Sequence, residues 1–521
     1  MLARMAGVLL ALAGVTFAQE TGSRPDAEAG QESSAAKPIV ADEKFSTTQH
    51  RALIGGATVP YTATAGQLVL RHANGKPRAN VFFVAYTRDD RPDRSSRPIA
   101  FAYNGGPGSA TVWLHMGTLG PKRVQMAEEG FQPEPPYRLV DNEHSLIDVS
   151  DVVAIDAVST GFSRAVEGED PKQFHGVQQD IEAFSEFIRL YITRFDRWTS
   201  PKYLLGESYG TVRSAGVGAH LQSEHGIELN GIILVSSVID FMTLRDAPGN
   251  DIHYVSFLPT YTATAWYHKK LPSDLMGDLD LAIDQSRSLA FGDYLLALTK
   301  GNRLSSLERE EMAARLARFT GLSADYVASA NLRVSPARFR KELLRDERLM
   351  VGRLDSRFTG IDADAAGERQ EFDPSNTALQ GPYTALFNEY VRNELGWESD
   401  LQYFTSGDVR PWDYNTQHRA EYLNLLESLR TAMARNPFLE VFVANGYYDM
   451  ATPFAATEWT FDHLGFESTY RERVHMAYYE AGHMMYIHPE MLETFKNDVA
   501  AFIEATRTSV PVSQTSPTEP Q

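Results

Sequence analysis

The sequence predicts an α/β protein: a central, mostly parallel sheet with helices on both faces and a helical cap inserted between two of its strands. Three observations carry this. Short, continuous apolar runs recur at 151–156, 203–205, 231–235 and 440–444, as expected of strands buried on both faces. Helical apolar periodicity lies between them. A glycine-flanked serine, Gly206-Glu207-Ser208-Tyr209-Gly210, stands where one such run gives way to a helical pattern.

Taken in order, residues 1–18 place Arg4 before an apolar run that ends in Thr16-Phe17-Ala18. This reads as a secretory signal peptide cleaved near Ala18-Gln19. The run falls short of the roughly 20 residues a membrane span needs, which disfavours an anchor. Residues 19–44, rich in Glu, Ala, Ser and Gly, read as a flexible lead. From about Gln49 the pattern turns to strands. Two short ones at 57–63 and 67–72 are expected to be separated at Gly66, followed by 79–87 and 98–103 around a polar turn. Residues 176–194 set Val177, Ile181, Phe184, Ile188 and Tyr191 at helical spacing. Over 250–430 helices follow one another. Ser305 with Glu308 forms a capping box, and Ser335 before Pro336 forms an N-cap with proline at the first position. Both ends of this stretch return to strands, so it reads as an insertion into one domain built from 45–249 and 431–507. The tail, 508–521, carries Pro511, Pro517 and Pro520 among Ser, Thr and Gln and reads as flexible.

Composition bounds the function. The chain has 521 residues, 43% of them hydrophobic, enough for a large core. Its formal net charge of -19 argues against nucleic acid and anionic membrane as partners. No stable membrane insertion is expected after signal cleavage, and the oligomeric state is left open. There is no cysteine, which excludes disulfides, thiolate metal sites and a cysteine nucleophile. No Asn-x-Ser/Thr acceptor occurs. Export without disulfides or glycan sites is read as a bacterial product, periplasmic or secreted.

The chemistry begins at Ser208. In G-x-S-x-G, glycines flank the serine because the strand-to-helix turn is too tight for neighbouring side chains. The helix N-terminus favours developing negative charge. A serine hydroxyl needs a base, and on such a scaffold the order is Ser, acid, His. Asp449 follows the apolar run 440–444, and His483 stands in Glu480-Ala-Gly-His before the last helix. Asp462 is the rival acid; His475 and His488 are the rival bases. Asn104-Gly-Gly-Pro-Gly-Ser109, after the strand 98–103, can expose backbone N–H groups to an oxyanion. Asp362-x-Asp364-x-x-Gly367 has Ala366 at position five and Asp373 at position twelve of a calcium loop, and reads as a solvated acidic loop. Trp266, Tyr267, Phe291 and Tyr294 read mostly as core, with a place along the substrate cleft as the alternative for a few.

Four segments in order, Asn104-Gly-Gly-Pro-Gly, Asp156-Ala-Val-Ser-Thr-Gly-Phe-Ser163, Gly206-Glu-Ser-Tyr-Gly and Gly482-His-Met, resemble the serine carboxypeptidase family. The resemblance covers roughly 98–505. It implies an α/β-hydrolase fold and removal of C-terminal residues from peptide substrates. It implies Ser208 as nucleophile, His483 as base and Asp449 as orienting acid. The N–H groups of Gly106 and Tyr209 would form the oxyanion hole, and Asn104, Gly105 and Glu207 would hold the substrate's terminal carboxylate. No metal or organic cofactor is implied. An esterase or acyltransferase on the same scaffold, or a non-catalytic binding module, are the alternatives.

The departures are specific. Ser109 stands where many members have cysteine, and Thr118 precedes Leu119-Gly120-Pro121 where members usually have glutamate. That glutamate normally pairs with the one beside the nucleophile. Without it, Glu207 is expected to ionise near an ordinary carboxylate value unless burial lifts it, and the preference for free C-termini to be weaker than the family norm.

Overall fold

The computed structural model describes residues 38–414, 422–465 and 467–507. The expected signal peptide, 1–18, most of the expected lead, 19–44, and the expected tail, 508–521, lie outside the described residues. The described residues from Ile39 on form one compact unit.

The main sheet consists of β1 (Phe45–Ile54), β2 (Ala57–Arg71), β3 (Pro77–Arg88), β4 (Ile99–Tyr103), β5 (Asp151–Ile155), β6 (Lys202–Glu207), β7 (Gly231–Val235), β8 (Glu440–Gly446) and β9 (Val474–Tyr479). Their order across the sheet is β1-β2-β3-β5-β4-β6-β7-β8-β9, and the two-residue strand Arg164–Ala165 pairs off β3. The first three strands and the β3–β5 pairing are antiparallel. From β5 to β9 every pairing is parallel. Parallel strands need crossovers, and the helices supply them on both faces.

The two faces can be read from alternation along β4. Ala100 and Ala102 join a core with Tyr203, Leu205, Phe442 and the last helix. Ile99, Phe101 and Tyr103 join another with α1 (Val177–Arg194) and α2 (Tyr209–His225). Both faces being covered explains why these strands read as unbroken apolar runs.

Two expectations change. β2 is one continuous strand, because Gly66 does not break it; a Cβ there would lie 2.6 Å from the Phe45 ring, so the glycine makes room for that ring. β9 was not foreseen, since Val474-His-Met-Ala-Tyr-Tyr479 is buried only at its ends and shows no apolar run.

Between β7 and β8 comes the helical stretch, which has a core of its own. Its first helix, α3 (Ile252–Tyr267), is buried along nearly its whole length. Tyr261 stacks on Phe339 with ring centroids 4.1 Å apart. Both expected caps form: Ser305 and Glu308 satisfy each other's backbone N–H in a capping box, and Ser335 caps α4 (Pro336–Glu342). The acidic loop is internally engaged. Asp362 pairs with Lys341, and Asp373 caps α5 (Pro374–Asn393). Tyr294 is buried and donates to the Leu332 carbonyl, while Phe291 stacks on Trp459. No described helix is long and apolar enough to cross a membrane.

Candidate active site

β6 runs straight into Ser208, which takes φ +60° and ψ -127° and caps α2. A non-glycine residue in this region is strained by about 1–3 kcal/mol, a cost the surrounding structure must hold in place. The neighbours explain how. The Ser208 N–H donates to the Val235 carbonyl at 3.0 Å, and its carbonyl accepts from Thr211 N at 2.8 Å. A Cβ on Gly206 would fall 2.2 Å from the Gly210 carbonyl oxygen, and one on Gly210 2.8 Å from the Tyr103 oxygen. The flanking glycines are therefore steric requirements of the turn.

The Asn104–Ser109 loop packs against this elbow. A Cβ on Gly105 would lie 2.3 Å from the Tyr209 backbone nitrogen. Gly106 has φ +104°, a conformation that favours glycine. This brings the Gly105–Gly106 backbone beside the first N–H of α2, where two donors can face one oxygen. Beneath the loop, buried Arg213 donates to the Asn104 carbonyl at 2.6 Å and is itself held by Asp180 at 2.8 Å. The Asp156–Ser163 segment is a brace. Asp156 accepts from Thr111 N at 2.8 Å, and Ser163 Oγ links the Asp156 carbonyl to Phe82 N. Gly161 is obligatory there, because a Cβ would sit 1.7 Å from Asp156 Oδ2.

His483 Nδ1 and Asp449 Oδ2 are 2.7 Å apart, with side chains 5% and 0% exposed. Asp449 follows β8 and accepts from the N–H groups of Ala451 and Thr452 and from the Thr452 hydroxyl. Burial works against the imidazolium of His483, but the Asp449 carboxylate outweighs it and holds the group above its ordinary value. The rivals lie elsewhere. Asp462 pairs with Arg471, His475 with Glu440, both exposed, and His488 stands at the N-terminus of the last helix, α6 (Pro489–Thr506).

Ser208, His483, Asn104, Gly105, Gly106 and Glu207 line one cleft of about 380 Å³. Ser208 and His483 share this cleft without a direct hydrogen bond between them among the described residues. None of Trp266, Tyr267, Phe291 and Tyr294 lines it.

Glu207 meets the exception allowed from sequence, because burial lifts it. It is 3% exposed, and burial pushes its carboxyl up to about 7, far above an ordinary carboxylate. Asn104 Nδ2 donates to Oε1 at 2.7 Å and the Tyr486 hydroxyl to Oε2 at 2.6 Å. Both contacts donate, so neither takes the proton of the neutral acid, which is left for a group in the cleft. Thr118 does not substitute for a glutamate partner. It is fully buried, its hydroxyl has no partner among the described residues, and Tyr486 makes the contact instead. Gly117 makes this possible, since a Cβ there would lie 2.4 Å from the Tyr486 ring. Tyr486 was missed in sequence; its only signal is its place three residues after His483.

The helical stretch also reaches the site. The segment after Val351 clamps the acid and base loops together: Met450 N donates to the Arg353 carbonyl at 3.1 Å, His483 N to the Leu354 carbonyl at 2.6 Å, and Gly482 N to Asp355 Oδ2 at 3.1 Å. Asp355 is held by Arg357 in a buried ion pair. Gly482 allows this approach, because its Cβ would fall 2.4 Å from that of Asp355.

The serine carboxypeptidase family profile matches residues 58–488. The lysosomal protective protein of Mus musculus is 22% identical over 391 residues, which is 72% of this chain and 73% of that protein. The crystal structure of the prohormone-processing carboxypeptidase Kex1 from Saccharomyces cerevisiae superposes with a TM-score of 0.55 at 16% identity, covering 85% of this chain and 91% of that one. These relatives, from mouse and yeast, overturn the reading of a bacterial exported member with a periplasmic or bacterially secreted location. Missing cysteines and glycan acceptors constrain cross-linking and modification; they do not assign a source. The fold is the α/β-hydrolase fold. Matched over most of its length, the chain belongs to the serine carboxypeptidase family and is an enzyme with serine-type carboxypeptidase activity on peptide substrates.

Proposed function

We propose that Ser208, His483 and Asp449 carry the reaction and that Glu207 with Asn104 selects a free C-terminus. His483 takes the Ser208 proton as Oγ attacks the last peptide carbonyl. The oxyanion is met by the N–H groups of Gly106 and Tyr209. The C–N bond breaks as His483 protonates the departing amine, which leaves with the C-terminal residue. Water, deprotonated by His483, then cleaves the ester on Ser208 and releases the shortened peptide. Asp449 holds the ring so that Nδ1 keeps its proton. Gly105 contributes backbone beside the bound carboxylate. The stretch 250–430 acts as the cap, the parts 45–249 and 431–507 as the hydrolase domain.

The observation that carries this reading is a buried Glu207, its carboxyl pushed up to about 7, in the same cleft as an elbow serine and an Asp–His pair. The test is hydrolysis of a blocked dipeptide and its C-terminal amide. The free acid should be cleaved far faster at pH 5–6, and Ser208→Ala should abolish both turnover and labelling by a fluorophosphonate. Equal turnover of acid and amide at that pH would refute the role of Glu207 and Asn104.

A further inference from the structure

A second chamber lies beside the catalytic cleft. It measures about 760 Å³ and is lined by six arginines: Arg245, Arg333, Arg338, Arg340, Arg353 and Arg369. Only two carboxylates, Asp246 and Glu368, line it with them. This concentration of cations occurs in a chain of net charge -19. An average acidic surface would repel anions, so a basic chamber in it focuses the field and draws one in.

The guanidinium groups differ in how far the fold engages them. Arg333 pairs with Asp251, and Arg338 approaches Glu368 at 3.3 Å. Arg340 donates to Gln370 at 2.7 Å, a neutral partner. Arg245 lies over the rings of Phe241 and Tyr414. Among the described residues Arg245, Arg340, Arg353 and Arg369 form no ion pair. Burial, then the like charge of Arg353, press the Arg340 guanidinium down to about 10. An anion placed between them would relieve that repulsion and accept the forked donors arginine presents.

The chamber joins the chemistry. Arg353 lines both the chamber and the catalytic cleft. Met450 and Ala451, which follow Asp449 directly, form part of its wall. Besides Glu207, the adjoining cleft holds Asp373, which is already taken up by the backbone N–H groups of Arg353, Leu354 and Ser375 and by the Ser375 hydroxyl. A chamber of this volume suits a ligand of several residues rather than one side chain. In a carboxypeptidase that removes one residue at a time only that residue lies beyond the scissile bond, so the chain long enough to fill a second chamber is on the acyl side.

We infer that the arginine-lined chamber is a substrate subsite for peptides with acidic side chains on the N-terminal side of the scissile bond. The inference rests on the proposed placement of the terminal carboxylate at Asn104 and Glu207. It names the substrate class that this catalytic cleft receives.

The test uses blocked hexapeptides with one fixed C-terminal residue and Glu, Gln or Lys at the four positions before the scissile bond. Two readouts are taken: kcat/KM on the wild type, and affinity for the Ser208→Ala protein by calorimetry, which does not depend on turnover. Glu peptides should exceed Gln peptides by about tenfold or more in both and Lys peptides by more, with the gap shrinking as salt is raised. Arg369→Glu and Arg245→Glu change exposed side chains, and together they should bring the Glu-to-Gln ratio to one or reverse it. Equal affinity of the Ser208→Ala protein for Glu and Gln peptides overturns the inference, as does a preference for Glu only as the last residue. Free-acid peptides bound no better than their amides would sink the carboxylate placement instead, while an acidic preference seen in both series would still support the chamber.

Discussion

Replacing Glu207 by glutamine tests the exception to sequence expectation that burial makes. Burial lifts this carboxyl from 4.5 to about 7. In the proposed placement a neutral Glu207 would donate to a peptide carboxylate, whereas an ionised one would repel it. With a value of about 7, the binding-competent fraction is about 0.9 at pH 6 and about 0.1 at pH 8, and apparent affinity scales with that fraction. KM for a free-acid peptide should therefore rise about tenfold between pH 6 and 8 relative to its amide. His483 titrates against both substrates equally, so the acid-to-amide ratio cancels its contribution. Glutamine donates at every pH, and Glu207→Gln should make the ratio flat. The same burial has a stability consequence. A carboxyl raised on folding holds its proton more tightly in the native state. Its contribution is complete below the unfolded value of 4.5 and is lost as pH rises through about 7. At 1.36 kcal/mol per tenfold, the loss is about 3 kcal/mol. Urea unfolding of wild type at pH 4.5 and 8 should show it, and Glu207→Gln should lack it. A wild-type KM ratio that stays flat from pH 5 to 8 would refute the reasoning, because Glu207 would then be ionised throughout or would not face the carboxylate.

Three further outcomes are expected. Ser208→Ala should fold normally and lower kcat by on the order of 10⁴ or more in a steady-state assay. Asp449→Asn should cost about 10³ to 10⁴ in kcat, since the carboxylate that orients His483 is gone, while Asp462→Asn, which alters only an exposed pair with Arg471, should stay within about twofold. Tyr486→Phe removes a hydrogen bond that favours the ionised form of Glu207. The rise in the acid-to-amide KM ratio should then move to higher pH; a shift to lower pH would mean the tyrosine accepts rather than donates.

Much of the molecule was legible in sequence because its causes are local. Parallel strands covered on both faces appear as short apolar runs, and β7 was bounded as the structure has it. The elbow is legible because a Cβ at Gly206 or Gly210 would lie 2.2–2.8 Å from neighbouring backbone oxygens. Asp449 and His483 stand in loops that directly follow sheet strands, and the order of the strands brings those loops together.

What sequence could not decide depends on residues far apart in the chain. Gly66 reads as a strand breaker, yet its effect depends on the Phe45 ring against it. The value at which Glu207 ionises was undetermined, because desolvation is set by everything packed around the group and not by the missing glutamate at Thr118 alone. Its partner, Tyr486, lies 279 residues away. The clamp of residues 353–355 on the acid and base loops, and the gathering of Arg245 with five arginines of the stretch 333–369 into one chamber, have no periodicity or motif to announce them. Sequence by itself determined the local backbone chemistry and named the candidate reactive side chains. Tertiary structure alone decided their electrostatic state and the shape of the space they face, because fields and desolvation sum over neighbours in space.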